Sequence, residues 1–182
     1  MYDLPKKINI CGTEYGIRSD YRAVLDVCTA LSDAELTSQE KSYVALDIFY
    51  PDFKKMPPEH YQEALRQCFL FINCGEEEEN KKSPKLVDWA QDFNYIVAPV
   101  NRVMGREIRS VKYMHWWTFV GAYMEIGECT FAQIVRIRDR KAKGKPLDKQ
   151  DAEWYRNNRN LVDLKHTYSD EEKGLLEQWG IK

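Results

Sequence analysis

Histidines, cysteines and paired carboxylates are the side chains from which chemistry would start, and here they are thinly spread. The three histidines, His60, His115 and His166, stand alone. None has a second ligand at the spacing of a metal site such as H-E-x-x-H. His115 abuts Trp116 and Trp117, which suits a satisfied core or rim imidazole better than a general base. Glu125 and Glu128 lie three apart in Met124-Glu125-Ile126-Gly127-Glu128-Cys129. Two carboxylates can divide acid and base work, but nearby arginines or the start of a following helix use them more readily. Cys129 has no base beside it and reads poorly as a nucleophile. The five cysteines, Cys11, Cys28, Cys68, Cys74 and Cys129, leave gaps of 17, 40, 6 and 55, none a zinc-knuckle spacing. Cys28 and Cys68 fall on apolar helix faces and read as small buried hydrophobes. Free thiols of this kind suit a reducing cytoplasm. No G-x-G-x-x-G, G-x-x-x-x-G-K-[ST] or G-x-S-x-G occurs, and the isolated Gly144 before Lys145-Pro146 marks a turn. These residues imply no catalytic centre, no cofactor and no metal.

Charge is the next candidate. Residues 1–100 carry 11 basic and 17 acidic side chains, a net −6; residues 101–182 carry 16 and 12, a net +4. The contrast is sharpest between Glu76-Glu77-Glu78-Glu79 and the basic run Arg136, Arg138, Arg140, Lys141, Lys143, Lys145 and Lys149. Seven cations in 14 residues could hold phosphates. Arg136, Arg138 and Arg140 alternate, however, so a helix splays them around about half its circumference. The chain as a whole has a net charge of −2. Nucleic acid is therefore an unlikely partner. Two solvated surfaces explain the asymmetry, and so does head-to-tail association of copies or the binding of two differently charged partners.

The elements that position these residues are mostly helical. Lys7-Ile8-Asn9-Ile10 and Glu14-Tyr15-Gly16-Ile17 alternate about a turn at Gly12, which predicts an N-terminal β-hairpin. Ser19 reads as an N-cap before Tyr21, Val24, Leu25, Cys28 and Leu31 at helical spacing. A second helix follows Ser38, with Tyr43, Leu46, Phe49 and Tyr50 inward, and stops at Pro51. Pro57 and Pro58 open a third, with Tyr61, Ala64, Leu65, Cys68, Phe69 and Ile72 inward and Gly75 as its stop. Residues 76–84 have no apolar side chain and predict an exposed loop between an N-terminal part (1–75) and a C-terminal part (85–182). Both parts are expected to share one core as a single domain, 1–182.

Beyond the loop, Trp89, Phe93, Ile96, Val97, Val100, Val103 and Met104 form a long stripe. Pro99 predicts a kink in it, or a division into two helices, and Gly105 caps its end. Trp116, Phe119, Val120, Tyr123 and Met124 predict a central aromatic helix, flanked by Tyr113 and Trp117, with Gly121 and Ala122 allowing close approach. Phe131, Ile134, Val135 and Arg138 begin a shorter helix that enters the basic run. Trp154 and Tyr155 anchor a polar stretch, 148–158. Ser169 with Glu172 is a capping-box pattern that opens a last helix through Leu175, Leu176 and Trp179. The fold class is thus mostly α, about eight helices with a small β-hairpin.

Composition agrees with a soluble globular protein: 182 residues, 43% hydrophobic, 13% aromatic and 31% charged. No apolar run approaches the ~20 residues of a membrane helix, and the N-terminus lacks a signal-peptide core. Eleven tyrosines and five tryptophans suit protein interfaces as well as a core.

The string Ile108-Arg109-Ser110-Val111-Lys112-Tyr113-Met114-His115-Trp116-Trp117-Thr118-Phe119, continued by Gly121-Ala122-Tyr123-Met124-Glu125-Ile126-Gly127-Glu128-Cys129-Thr130-Phe131, resembles a family of phages and prophages of Gram-positive bacteria called bacteriophage gene product fifteen. Ile134-Val135-Arg136-Ile137-Arg138, Lys141 to Lys145, Trp154 to Asn158 and Asp88-Trp89 are also similar to it. The resemblance runs from about Leu86 to Leu164 and more weakly through the N-terminal part. By gene position such proteins resemble tail assembly chaperones of long-tailed phages. That implies a non-enzymatic role: coating the tape measure protein, aiding polymerisation of the tail tube protein, and leaving before the virion is finished. The implied location is the bacterial host cytoplasm, and self-association into a homo-oligomer is part of the expectation. The alternative is a structural or adaptor component of the tail or connector. The residues expected to contact proteins are Tyr113, His115, Trp116, Trp117, Arg136, Arg138, Arg140, Lys141, Glu76 and Glu77.

Overall fold

The computed structural model describes residues 3–77 and 83–165. The expected helix after Ser169 lies outside these residues. Among the described residues there are eight α-helices and one two-stranded antiparallel sheet, the mostly α architecture with a β-hairpin that the periodicities predict. The chain divides into two compact units. One comprises residues 3–77 with His115–Trp117, and the other residues 83–114 and 118–165.

In the first unit, β1 (Lys7–Ile10) and β2 (Thr13–Gly16) pair with Lys7 opposite Gly16 and Ile10 opposite Thr13. The two-residue turn places Cys11 at φ 50° and Gly12 at φ 83°, the left-handed pair whose twist matches a hairpin. Asn9 closes it by accepting from the Gly12 N–H at 3.1 Å. Ile10 is fully buried, so the hairpin is held by one face packed on the helices. Helix α1 (Tyr21–Ser32) is capped by Asp20, whose carboxylate accepts from the Arg22 N–H at 3.0 Å. The expected cap, Ser19, is itself buried and lies one residue too early. Helix α2 (Ser38–Phe49) starts with a capping box between Thr37 and Glu40. A single 3₁₀ turn, Pro58–His60, leads into α3 (Tyr61–Ile72). Tyr21, Val24, Phe49, Tyr50, Phe53 and Phe71 fill the core. Two side chains expected inward point out: Tyr43 is 54% and Phe69 40% exposed. Tyr43 still lays its edge on Phe53, ring centroids 4.9 Å apart.

The second unit holds α4 (Trp89–Met104), α5 (Trp116–Met124, from Thr118 onward), α6 (Thr130–Ala142), α7 (Lys149–Asn157) and α8 (Arg159–Val162). Helix α4 runs through Pro99 without dividing, and Pro99 is buried in its apolar face. Apolar packing on both sides of the proline outweighs the one lost backbone bond. Gly105 ends the helix at φ 65°, as its position predicts. Helix α5 is less central than its aromatics suggest. Phe119 and Ala122 are buried, but Met124 is 74% exposed, and a Cβ on Gly121 would meet nothing within 4 Å. Ile134, Ile137 and Val162 centre a small core covered by Tyr95, Leu147, Trp154, Tyr155 and Leu161. The polar stretch 148–158 is therefore helix α7 in most of its length, with its anchors Trp154 and Tyr155 half-buried against this core.

Among the described residues no helix is long and apolar enough to cross a membrane, and no group of three acidic, Cys or His side chains could hold a metal ion.

Candidate functional site

The ten residues expected to contact proteins fall into three places. His115, Trp116 and Trp117 close the end of α3 in the first unit. Its last carbonyls have no partners within the helix, and two indoles supply them. Trp116 Nε1 donates to the Ile72 carbonyl at 2.8 Å, and Trp117 Nε1 donates to that of Phe71 at 2.9 Å. Cys74 at φ 56° and Gly75 at φ 90° complete the end, with the Gly75 N–H bonded to the Leu70 carbonyl at 2.8 Å. The left-handed residue is thus Cys74 as well as the expected glycine. Phe71, His115 and Trp117 form a cluster with ring centroids 5.5 to 5.8 Å apart.

The tautomer of His115 follows from its partners. The Trp117 N–H donates to Nδ1 at 3.1 Å, so Nδ1 is unprotonated, and Nε2 donates to the Pro5 carbonyl at 2.9 Å. Burial holds the imidazole pKa below its ordinary value; Lys6 pushes the same way and the Pro5 carbonyl opposes. His115 and Trp116 are each 2% exposed. Both are framework side chains, a correction to their expected place on a contact surface: the Trp116 indole N–H and His115 Nε2 are used up on backbone carbonyls, and His115 Nδ1 on the Trp117 backbone N–H. Trp117 is half-buried and Tyr113, at 45%, is exposed.

The basic run is the second place, and most of it is neutralised locally. Arg138 is 6% exposed and Asp92 fully buried. The guanidinium donates to both Asp92 oxygens at 2.6 and 2.9 Å. It also reaches the carbonyls of Leu86, Leu161 and Val162 at 2.9, 3.1 and 2.6 Å. All its N–H groups are directed inward, so Arg138 too is corrected from a contact residue to a framework one. Arg136 pairs with Asp151 at 3.2 Å, Lys143 with Asp139 at 2.6 Å and Lys141 with Asp163 at 2.5 Å. Arg140 donates to the Pro146 carbonyl at 3.0 Å. Spacing alone hid these partners, because Asp92 and Arg138 are 46 residues apart. Their signal was position: each occupies a place on the apolar stripe of its own helix. Gln91, also missed, grips an extended backbone by donating to the Asp163 carbonyl and accepting from the Lys165 N–H, both at 3.0 Å.

The third place is the face of α3 that runs into Glu76 and Glu77. Arg66, Phe69, Leu70, Asn73, Glu76 and Glu77 line a shallow groove of about 310 Å³. Arg66 is held by Glu63 at 2.8 Å, which keeps the Glu63 carboxyl at about 2. Its charge is spent on that partner, and the rim is left acidic. The groove sets the exposed Phe69 ring beside two acidic side chains, Glu77 lying 3.9 Å from Arg66. An exposed ring beside acidic side chains is compatible with a protein contact.

Comparison with known families places the chain among bacteriophage proteins of the structural and morphogenetic kind. It belongs to the bacteriophage Gp15 protein family, whose profile matches residues 1–164. No curated protein and no solved structure matches it.

Proposed function

We propose that this protein is a non-catalytic tail assembly chaperone, which binds the tape measure protein in the host cytoplasm and aids polymerisation of the tail tube around it. The observation that carries the reading is membership of a phage family over residues 1–164. The surface is compatible with it. Tyr43 and Met124 are exposed on α2 and α5, and exposed apolar side chains of this kind cover the apolar faces of a helical client. The test is co-expression with the long helical protein encoded next to it, followed by purification and light scattering. A soluble complex with several copies per client chain is expected, and the protein is expected to be absent from mature particles. Elution alone, with the client insoluble, overturns the role. Presence in the finished particle would instead assign it to the tail or connector structure.

A further inference from the structure

The two compact units carry opposite charge. Residues 3–77 hold 8 basic and 13 acidic side chains, a net −5; residues 83–114 and 118–165 hold 15 and 10, a net +5. Each unit also has a place where exposed apolar surface lies beside charge that is at most weakly offset among the described residues. In the first it is the α3 groove. Phe69 is 40% exposed there, Arg66 pairs with Glu63 at 2.8 Å, and Glu76 and Glu77 are exposed. Among the described residues a 3.9 Å approach of Glu77 to Arg66 offsets them in part.

In the second unit it is not the basic run, whose cations are mostly paired, but the turn after α4. Asn101 gathers this turn, accepting from the Ile108 N–H at 2.8 Å and donating to Glu107 at 2.9 Å. Glu107 takes Arg109 in a two-pronged pair at 2.8 and 2.9 Å, so those two charges cancel. Arg106 and Lys112 remain exposed with no acidic partner among the described residues. Val103 and Tyr113, 40% and 45% exposed, stand at the two ends of the same turn. The two surfaces are opposites in charge and alike in apolar content.

We infer that the α3 groove of one copy receives the Val103–Tyr113 turn of a second copy, with Glu76 and Glu77 facing Arg106 and Lys112. Such a contact joins different surfaces on the two partners, so it does not close on itself as a two-fold contact does and it adds copies head to tail. The pairing supplies steering and specificity, and the burial of Phe69, Val103 and Tyr113 supplies the holding force. The inference goes beyond client binding and needs no client to be tested.

The experiment is sedimentation of the full chain at low salt, where the Debye length is about 30 Å, and at ~1 M salt, where it is about 3 Å. Concentration-dependent growth at low salt, weakened at high salt, is expected. Two double variants are then compared, Glu76→Lys with Glu77→Lys, and Arg106→Glu with Lys112→Glu. All four side chains are exposed, so folding is not at stake. Each double variant alone sets like charges against each other and should associate at least about tenfold more weakly. An equimolar mixture restores opposite charges at both surfaces and should assemble again. Lys145→Glu with Lys149→Glu, outside both surfaces, should leave association unchanged. A wild type that stays monomeric at low salt overturns the inference. So does growth that survives either double variant, a mixture that fails to recover, or equal loss in the Lys145 and Lys149 control.

Discussion

Arg138 shows at the scale of one side chain why the basic run misleads. Sequence counts charges, but a buried guanidinium is defined by the acceptors around it, and those come from residues 86, 92, 161 and 162. Removing it strands a buried carboxylate and three carbonyls. Arg138→Met is expected to cost about 3–5 kcal/mol, read from urea unfolding, and pairing it with Asp92→Leu should recover most of that loss. A single variant as stable as wild type would show that the pair is not buried as described. His115 carries a second residue-scale expectation. Its pKa lies below the ordinary 6.5 when folded, so between those values the unfolded chain binds the proton and the folded chain does not. Stability is therefore complete above pH 6.5 and falls as the pH drops below it. Unfolding measured at about pH 7.5 and about pH 5.5 should show this slope, and His115→Gln should lack it. The carboxyls of Glu63 and Glu107, held at about 2, start from an ordinary 4.5 and so add a separate loss only at lower pH.

Helix stripes and stop signals were legible at the scale of elements because they are local. The hairpin, α1 to α4 and α6 follow from period and caps, and Gly105 ends α4 as its position predicts. What stayed hidden was non-local. The sequence contains no sign that two adjacent tryptophans would cap a helix ending more than 40 residues earlier, or that Phe69 would face solvent while Phe71 faces the core. Trp116→Phe tests the cap. It leaves the Ile72 carbonyl without its donor and should cost about 1–3 kcal/mol, with faster amide exchange at the end of α3. Unchanged exchange there would remove the capping role. The hairpin turn offers the opposite sign. Cys11 holds a left-handed conformation at φ 50° before Gly12, where Asn-Gly is the favoured pair. Cys11→Asn should therefore raise the melting temperature, by a gain of up to about 1 kcal/mol.

The molecule as a whole is two units of opposite charge rather than two halves of a sequence. The split at residue 100 gave the right signs but mixed the units, since α4 begins before it and His115–Trp117 belong with the first unit. The candidate contact surface was legible only in part. Glu76, Glu77 and Tyr113 are exposed as expected. Arg106 and Lys112 carry no signal in the sequence, and Phe69 and Val103 belong by spacing to apolar stripes yet are exposed, because exposure is decided by packing and not by residue type. Amide exchange can locate the stability of each unit. Arg138→Met should loosen α4, α6 and α8 first, and Trp116→Phe should loosen α3 first. Identical loosening throughout in both variants would mean that the chain opens as one body.

The Arg138 clamp also bears on how the chain is made. A ribosome delivers residues in order, and Arg138 emerges before two of the carbonyls that receive it. Until Leu161 and Val162 follow, the guanidinium has Asp92 and Leu86 alone, and the small core around Ile134 and Ile137 lacks Val162. Synthesis thus completes α4 to α6 before the last two acceptors of Arg138 exist, and α8 brings both of them together with Val162.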